Sequence, residues 1–290
     1  MNLTHVPLLQ IQRELQGMPR TIERFRQYLR TVLTDDHTDV KLAPLIAANP
    51  MAKDHVTELL DVLLAMDADG IAARTSAEAS KRLDDAPGDF LVGVVVVDDL
   101  MGGGTNRFDY EFTFRFGPRS RSDRSCVHIS EKMQERMRTQ PVWLAVPLWS
   151  SEPAPTLEMV RQGVLMAACR VAYMQRHGPA TTLRDMLIQE GEVMTFAGCT
   201  EPALDEEDIA YTREVLAPYL EETDWRVCME CLFGDAPGKT LGFTPRGLSP
   251  WAGLALALYD GQKHGVGSPF SQETAFWRIK GSRVESIQRS

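Results

Sequence analysis

Residues 90–116 read Phe90-Leu91-Val92-Gly93-Val94-Val95-Val96-Val97-Asp98-Asp99-Leu100-Met101-Gly102-Gly103-Gly104-Thr105-Asn106-Arg107-Phe108-Asp109-Tyr110-Glu111-Phe112-Thr113-Phe114-Arg115-Phe116. The first eight are almost continuously apolar, as in a strand buried on both faces. From Phe108 onward, aromatic residues alternate with Asp109, Glu111, Thr113 and Arg115, the period of a strand covered on one face only. The two segments are expected to pair as antiparallel neighbours. They set the fold class read from the sequence: α+β, or mixed α/β, with a helical N-terminal section followed by a mixed, partly antiparallel sheet with packed helices.

Upstream, the pattern is helical. Leu8, Ile11, Leu15 and Met18 recur at three and four, as do Ile22, Phe25, Leu29 and Val32 after Pro19, and Val56, Leu59, Leu60 and Leu63 form a third stripe. Arg13, Arg20, Arg24, Arg26 and Arg30 fall between the apolar positions and read as a solvated face. Asp84-Asp85-Ala86-Pro87-Gly88 breaks the helical period. The expected division is therefore a helical section over 1–86 and a sheet-and-helix domain over 87–290, within one fold.

Downstream, residues 126–130 and 142–149 read as short strands flanking a helix over 131–138. Thr156 is a cap for a helix that Gly178-Pro179 stops after His177. Residues 183–188 and 209–220 read as helices, and Ser249-Pro250 opens another. Trp225, Val227, Met229, Cys231 and Phe233 alternate as a strand. On that parity Cys228 and Cys231 point to opposite faces and cannot share a metal.

Composition narrows the function classes. With 43% hydrophobic and 24% charged residues the chain is globular in type, and a formal net charge of −9 argues against bulk nucleic-acid binding, which selects a basic surface. The five cysteines are odd in number and scattered, and the first ten residues carry no secretory pattern. A cytoplasmic chain with reduced thiols is expected, with no membrane span.

The chemistry-bearing residues gather after the apolar run. Asp98 and Asp99 at a strand end can act as base or hold a divalent cation such as Mg²⁺ or Mn²⁺. Gly102, Gly103 and Gly104 let backbone amides approach an anion, Asn106 adds an amide, and Arg107 a charge clamp. A hairpin loop needs about 2–5 residues, and the longer connection here points to use beyond turning. Cys126 and His128 share a strand face, which makes His128 a candidate catalytic base. Arg115, Arg119, Arg121 and Arg124 extend the basic concentration. Residues 234–240 (Gly-Asp-Ala-Pro-Gly-Lys-Thr) lack the spacing of a phosphate loop and read as a hairpin turn.

Two expectations follow. One is an enzyme acting on a small anionic, phosphate- or carboxylate-bearing substrate through Asp98, Asp99 and His128, with Gly102, Gly103, Gly104, Asn106 and Arg107 binding it. The other is a non-catalytic interaction protein using its N-terminal helices and the acidic stretch 206–222.

Overall fold

A computed structural model describes residues 1–36, 39–100, 107–117, 142–152, 155–241 and 244–263. These cluster into two compact units, Met1–Glu111 with Ser120–Ala172 and Phe112–Arg119 with Tyr173–Ser290.

Among the described residues the first unit is built on three strands, β1 (Asn2–His5), β2 (Asp89–Val97) and β3 (Val142–Trp149), in the order β1-β2-β3. Both pairings are parallel: Asn2 to His5 lie against Asp89 to Val92, and Phe90 to Val97 against Val142 to Trp149. The mixed, partly antiparallel sheet expected from the sequence is thus corrected: among the described residues the sheet is all-parallel. Parallel neighbours need long crossovers. Here those contain α1 (Leu9–Gly17), α2 (Ile22–Val32), a 3₁₀ turn (Ala43–Ala47), α3 (Asp54–Ala65) and α4 (Ala68–Arg82) before β2, and α5 (Arg107–Phe116) before β3.

The decisive correction is α5. Its aromatic alternation is real, but so is a spacing of four: Arg107 reaches Glu111 at 3.4 Å and Phe112 packs against Phe116 with tilted rings, centroids 5.1 Å apart. Charge and ring pairs at i,i+4 meet only on a helix. The extra length after Asp98 therefore belongs to a strand-to-helix connection rather than a hairpin. β1 is a further strand for which the helical reading of the N-terminus made no provision; four residues are too few to show a period.

β2 is buried along both faces from Val92 to Val97. Val95, Val97 and Trp149 pack with Leu8, Val32, Leu45 and Ala48 on one side. A Cβ on Gly93 would stand 2.5 Å from the Leu8 side chain, so the absence of one lets α1 lie close to the sheet. Beyond His5 the short β1 leaves part of β2 unpaired on that side. Gln12 of α1 takes its place: Nε2 donates to the Val96 carbonyl at 2.7 Å, and the Val96 N–H donates to Oε1 at 2.9 Å.

α2 is turned differently from its apolar stripe. Arg24 is 2% exposed and donates to the carbonyls of Met18 and Ala52, both at 3.3 Å, while Ile22 and Phe25 face outward. The solvated-face reading fails for Arg24 because two unsatisfied carbonyls offer it partners.

The second unit is helical: α6 (Leu157–His177) enters it at its C-terminal end, followed by α7 (Leu183–Ala197), α8 (Glu206–Leu216), α9 (Trp225–Phe233), α10 (Asp235–Leu241) and α11 (Ala252–Lys263). α7 crosses α11 at Gly191, where a Cβ would meet the Ala257 carbonyl oxygen at 2.6 Å. Two sequence expectations are corrected here. The segment 225–233 is a buried helix, capped by Asp224, whose carboxylate accepts from the Arg226 N–H at 2.8 Å. Cys228 and Leu232, both fully buried, lie off the supposed alternation. The expected turn at 234–240 is largely helix α10.

Candidate functional site

In open parallel sheets the loops beyond the C-terminal strand ends carry the ligand sites. Asp98 and Asp99 follow β2, and Ser150 and Ser151 follow β3; the register Val97 to Trp149 sets them side by side, and the Ser150 N–H donates to the Val97 carbonyl at 3.0 Å.

Asp98 is buried and fully engaged. Its Oδ2 accepts from Asn49 Nδ2 at 2.9 Å; its Oδ1 faces His55 Nε2 at 3.0 Å and accepts from the Leu100 N–H and Ser150 Oγ, both at 3.3 Å. Asn49 cannot turn its amide around, because Oδ1 accepts from the Met51 N–H at 2.9 Å. Gln16 of α1 donates to the Asn49 carbonyl at 2.8 Å and anchors that turn from below. Burial pushes the Asp98 carboxyl up. The hydrogen bonds from His55 and Asn49, the attraction of the His55 ring in its protonated form and the Leu100 amide outweigh it, so Asp98 lies below the ordinary carboxylate range.

His55 stands in the first turn of α3. An ionised carboxylate only accepts, so the His55 nitrogen facing it must carry the proton. The neutral ring then has its lone pair on Nδ1, which bonds to no described residue, and the side chain is 25% exposed. A buried acid holding one imidazole nitrogen and leaving the other open is an arrangement for proton transfer.

Asp99 is held by the residues after β3: Oδ1 accepts from the Ser151 N–H at 2.9 Å and Oδ2 from Ser151 Oγ at 2.5 Å, while Ser150 Oγ, 3.1 Å from Oδ1, has one hydrogen to give to either Asp98 or Asp99. Arg107 lies over the Trp149 ring at 5.2 Å and faces Asp99 at 3.8 Å, Glu111 at 3.4 Å and Glu152 in a short contact. Burial raises the Glu152 carboxyl above its ordinary value; Arg107 pulls it down, and Glu111 and Asp99 push it further up. Its proton is therefore held more tightly than in water.

Of the residues expected from the sequence, the structure brings together Asp98, Asp99 and Arg107. His128, Gly102, Gly103, Gly104 and Asn106 lie outside the described residues, as do Cys126, Arg119, Arg121 and Arg124. Arg107 serves the three carboxylates around it, a different task from clamping a substrate anion. For a divalent cation the donor set fits poorly: the oxygens of Asp98 and Asp99 are already occupied by donors, and among the described residues no three His, Cys, Asp or Glu side chains gather as ligands. His55, Asn49 and Glu152 are the residues sequence reasoning missed. His55 lies 43 positions from Asp98, and only the parallel topology brings them together.

In the second unit, Cys228 and Cys231 sit one turn apart on α9, so the strand-parity argument for their separation does not hold. Burial, foremost, pushes each thiol up to about 12. Among the described residues no helix is long and apolar enough to cross a membrane. Comparison of the chain with protein-family models, with curated proteins and with solved structures gives no match.

Proposed function

We propose that this chain is an enzyme that moves a proton on a small polar substrate, with His55 as the proton acceptor and Asp98 as the residue that positions it. The observation that carries the reading is the 3.0 Å contact between buried Asp98 and His55 Nε2 beside a strand end, with Nδ1 left open. When Nδ1 takes a proton, the ring becomes a cation against an ionised carboxylate, which stabilises it where it forms.

The local charge bears on the substrate. Among the described residues, Asp99, Glu111 and Glu152 face Arg107 and Asp98 faces His55, so acids outnumber basic groups there. That excess favours an uncharged or cationic substrate over the anionic one expected from the sequence, since a second anion is repelled in so short a range. The anionic reading rests on Gly102, Gly103, Gly104 and Asn106, outside the described residues.

The test compares wild type with His55→Gln in a thermal-shift screen of neutral, cationic and phosphorylated metabolites, followed by turnover assays on whatever binds. General-base loss costs on the order of 10²–10⁴ in rate, and the partly exposed ring leaves the melting profile near wild type. Equal turnover in the variant refutes the assignment, and preferential binding of phosphorylated compounds restores the anionic substrate.

The interaction reading retains one specific observation: Ile22 and Phe25, 62% and 37% exposed, lie one turn apart on α2. A partner covering them would be lost by Ile22→Ser with Phe25→Ser, read as a change in sedimentation.

A further inference from the structure

The second unit contains a cleft of about 430 Å³ lined by Asp224, Arg226, Val227, Glu230, Thr244, Pro245 and Arg246. Its size is that of a small-metabolite site. One of its charged groups has unmet bonding capacity, and a second is free to pair.

The first is Glu230 on α9. The residue is 3% exposed, and its Oε2 accepts from Arg246 Nε at 2.8 Å, but its Oε1, also buried, has no hydrogen-bond partner. An orphaned oxygen on a buried carboxylate is costly unless a donor reaches it. The surroundings hold it there. Arg246 stacks over Tyr219 at 4.2 Å, and its backbone N–H donates to Asp235 Oδ1 at 3.0 Å, while the Gly247 N–H donates to Oδ2 at 2.9 Å. Arg246 is thus fixed by its ring contact, its backbone bond and Glu230, and the orphaned oxygen cannot be satisfied by a small rotation of that side chain.

The second is Arg226. Its guanidinium lies over the Trp225 ring at 5.4 Å and is in no ion pair with a described residue. Asp224, next to it, spends its carboxylate on the Arg226 backbone N–H as the helix cap. The cleft therefore offers one buried acceptor without a donor and, at its exposed rim, one guanidinium free of any ion pair with a described residue and open to an anion. Two acids and two arginines give a lining of zero formal charge.

We infer that this cleft binds a free α-amino acid, its ammonium group donating to Glu230 Oε1 and its carboxylate accepting from Arg226, with Val227 and Pro245 providing contact for an aliphatic side chain. A simple amine would leave Arg226 unmet, and a simple carboxylate would leave Glu230 unmet. A zwitterion satisfies both without adding net charge. The site is independent of the Asp98–His55 reading and holds whether or not that one does.

The test is ligand-observed NMR and calorimetry on the full chain with leucine and valine, with leucinamide, which lacks the carboxylate, and with N-acetyl-leucine, which lacks the ammonium. Leucine is expected to bind, and N-acetylation to cost about tenfold or more in affinity, the scale of one charge-assisted hydrogen bond. Glu230→Gln should lose a similar factor for leucine. Arg226→Ala, at an exposed position, should weaken leucine but leave leucinamide unchanged. Should Glu230→Gln fail to fold, the acetylated ligand and the Arg226 variant still decide the matter. The inference is overturned by no binding of leucine or valine at 10 mM, by N-acetyl-leucine binding as well as leucine, or by Arg226→Ala weakening leucinamide as much as leucine.

Discussion

Replacing Asp98 by Asn changes a single atom of the site, and the hydrogen-bond geometry tells what that atom is worth. The carboxylate accepts from Asn49 through one oxygen and from His55, Leu100 and Ser150 through the other. An Asn amide must place its NH₂ against one set or the other. Facing Asn49 it meets a donor whose amide is locked by Met51; facing His55 it meets a ring N–H, a backbone N–H and a hydroxyl. In either orientation at least one buried donor is orphaned, which costs about 1–3 kcal/mol. For a chain of this length each kcal/mol moves Tm by roughly 2–4 °C, so Asp98→Asn should melt roughly 2–12 °C lower. The deficit has a pH signature. Because the folded-state pKa of Asp98 is depressed, its contribution is fully present above the unfolded value of about 3.9 and is lost as pH falls through the folded value. The gap between wild type and variant should therefore hold at neutral pH and narrow as pH falls below the unfolded value. Melting curves from pH 3 to 8 check the stability, and ¹⁵N spectra of the imidazole check the tautomer, with the proton leaving Nε2 in the variant. Unchanged midpoints together with an unchanged His55 tautomer would refute the claim that Asp98 holds that ring.

Three further outcomes are expected. Glu152 has a raised folded pKa, so wild type loses stability as pH climbs from about 4.3 through that value; Glu152→Gln should flatten this part of the profile, measured by urea denaturation at pH 4, 5, 6 and 7, and a parallel pair of curves would remove Glu152 from the set of perturbed acids. Cys228 and Cys231, buried and with thiols at about 12, should resist iodoacetamide at pH 8 in the folded protein and react on unfolding, as followed by peptide mass spectrometry; rapid native labelling of either would show that α9 opens. Removing residues 1–19 deletes β1 and α1 with Gln12 and Gln16, and the remainder should precipitate or bind a hydrophobic dye; an unchanged melt would place that segment outside the core.

Local patterns told the truth where one signal dominated. The run 90–97 is β2, Thr156 caps α6, which ends at His177, and α11 follows Ser249-Pro250. The patterns misled where two periods coexisted. In 107–116 the aromatic alternation hid the four-residue spacing of Arg107, Glu111 and Arg115, and in 225–233 five chosen residues alternate only if Cys228 and Leu232 are ignored. Of the site, Asp98, Asp99 and Arg107 were legible because an apolar strand ending in acids is a local signal. Their partners were not. His55 and Asn49 lie in a turn and a helix start that resemble any other, and their role arises from tertiary placement. The acids around Arg107 were hidden for a related reason, since Asp99 and Glu152 come from the ends of two different strands.

The pairing of Gln12 with Val96 has a consequence for how this sheet can vary. A side-chain amide presents one donor and one acceptor at the spacing of a peptide group, so a single residue stands in for a stretch of strand that β1 is too short to supply. Few side chains can imitate a peptide in this way: Asn has the same two groups on a stem one carbon shorter, and Glu has no hydrogen to give unless protonated. Position 12 is thus constrained like a glycine in a tight bend, though it lies in the middle of a helix. Extending β1 past Val6 would bring a backbone to compete for the same two groups on Val96. Relatives of this chain should therefore carry a longer first strand or a glutamine at this place, but not both.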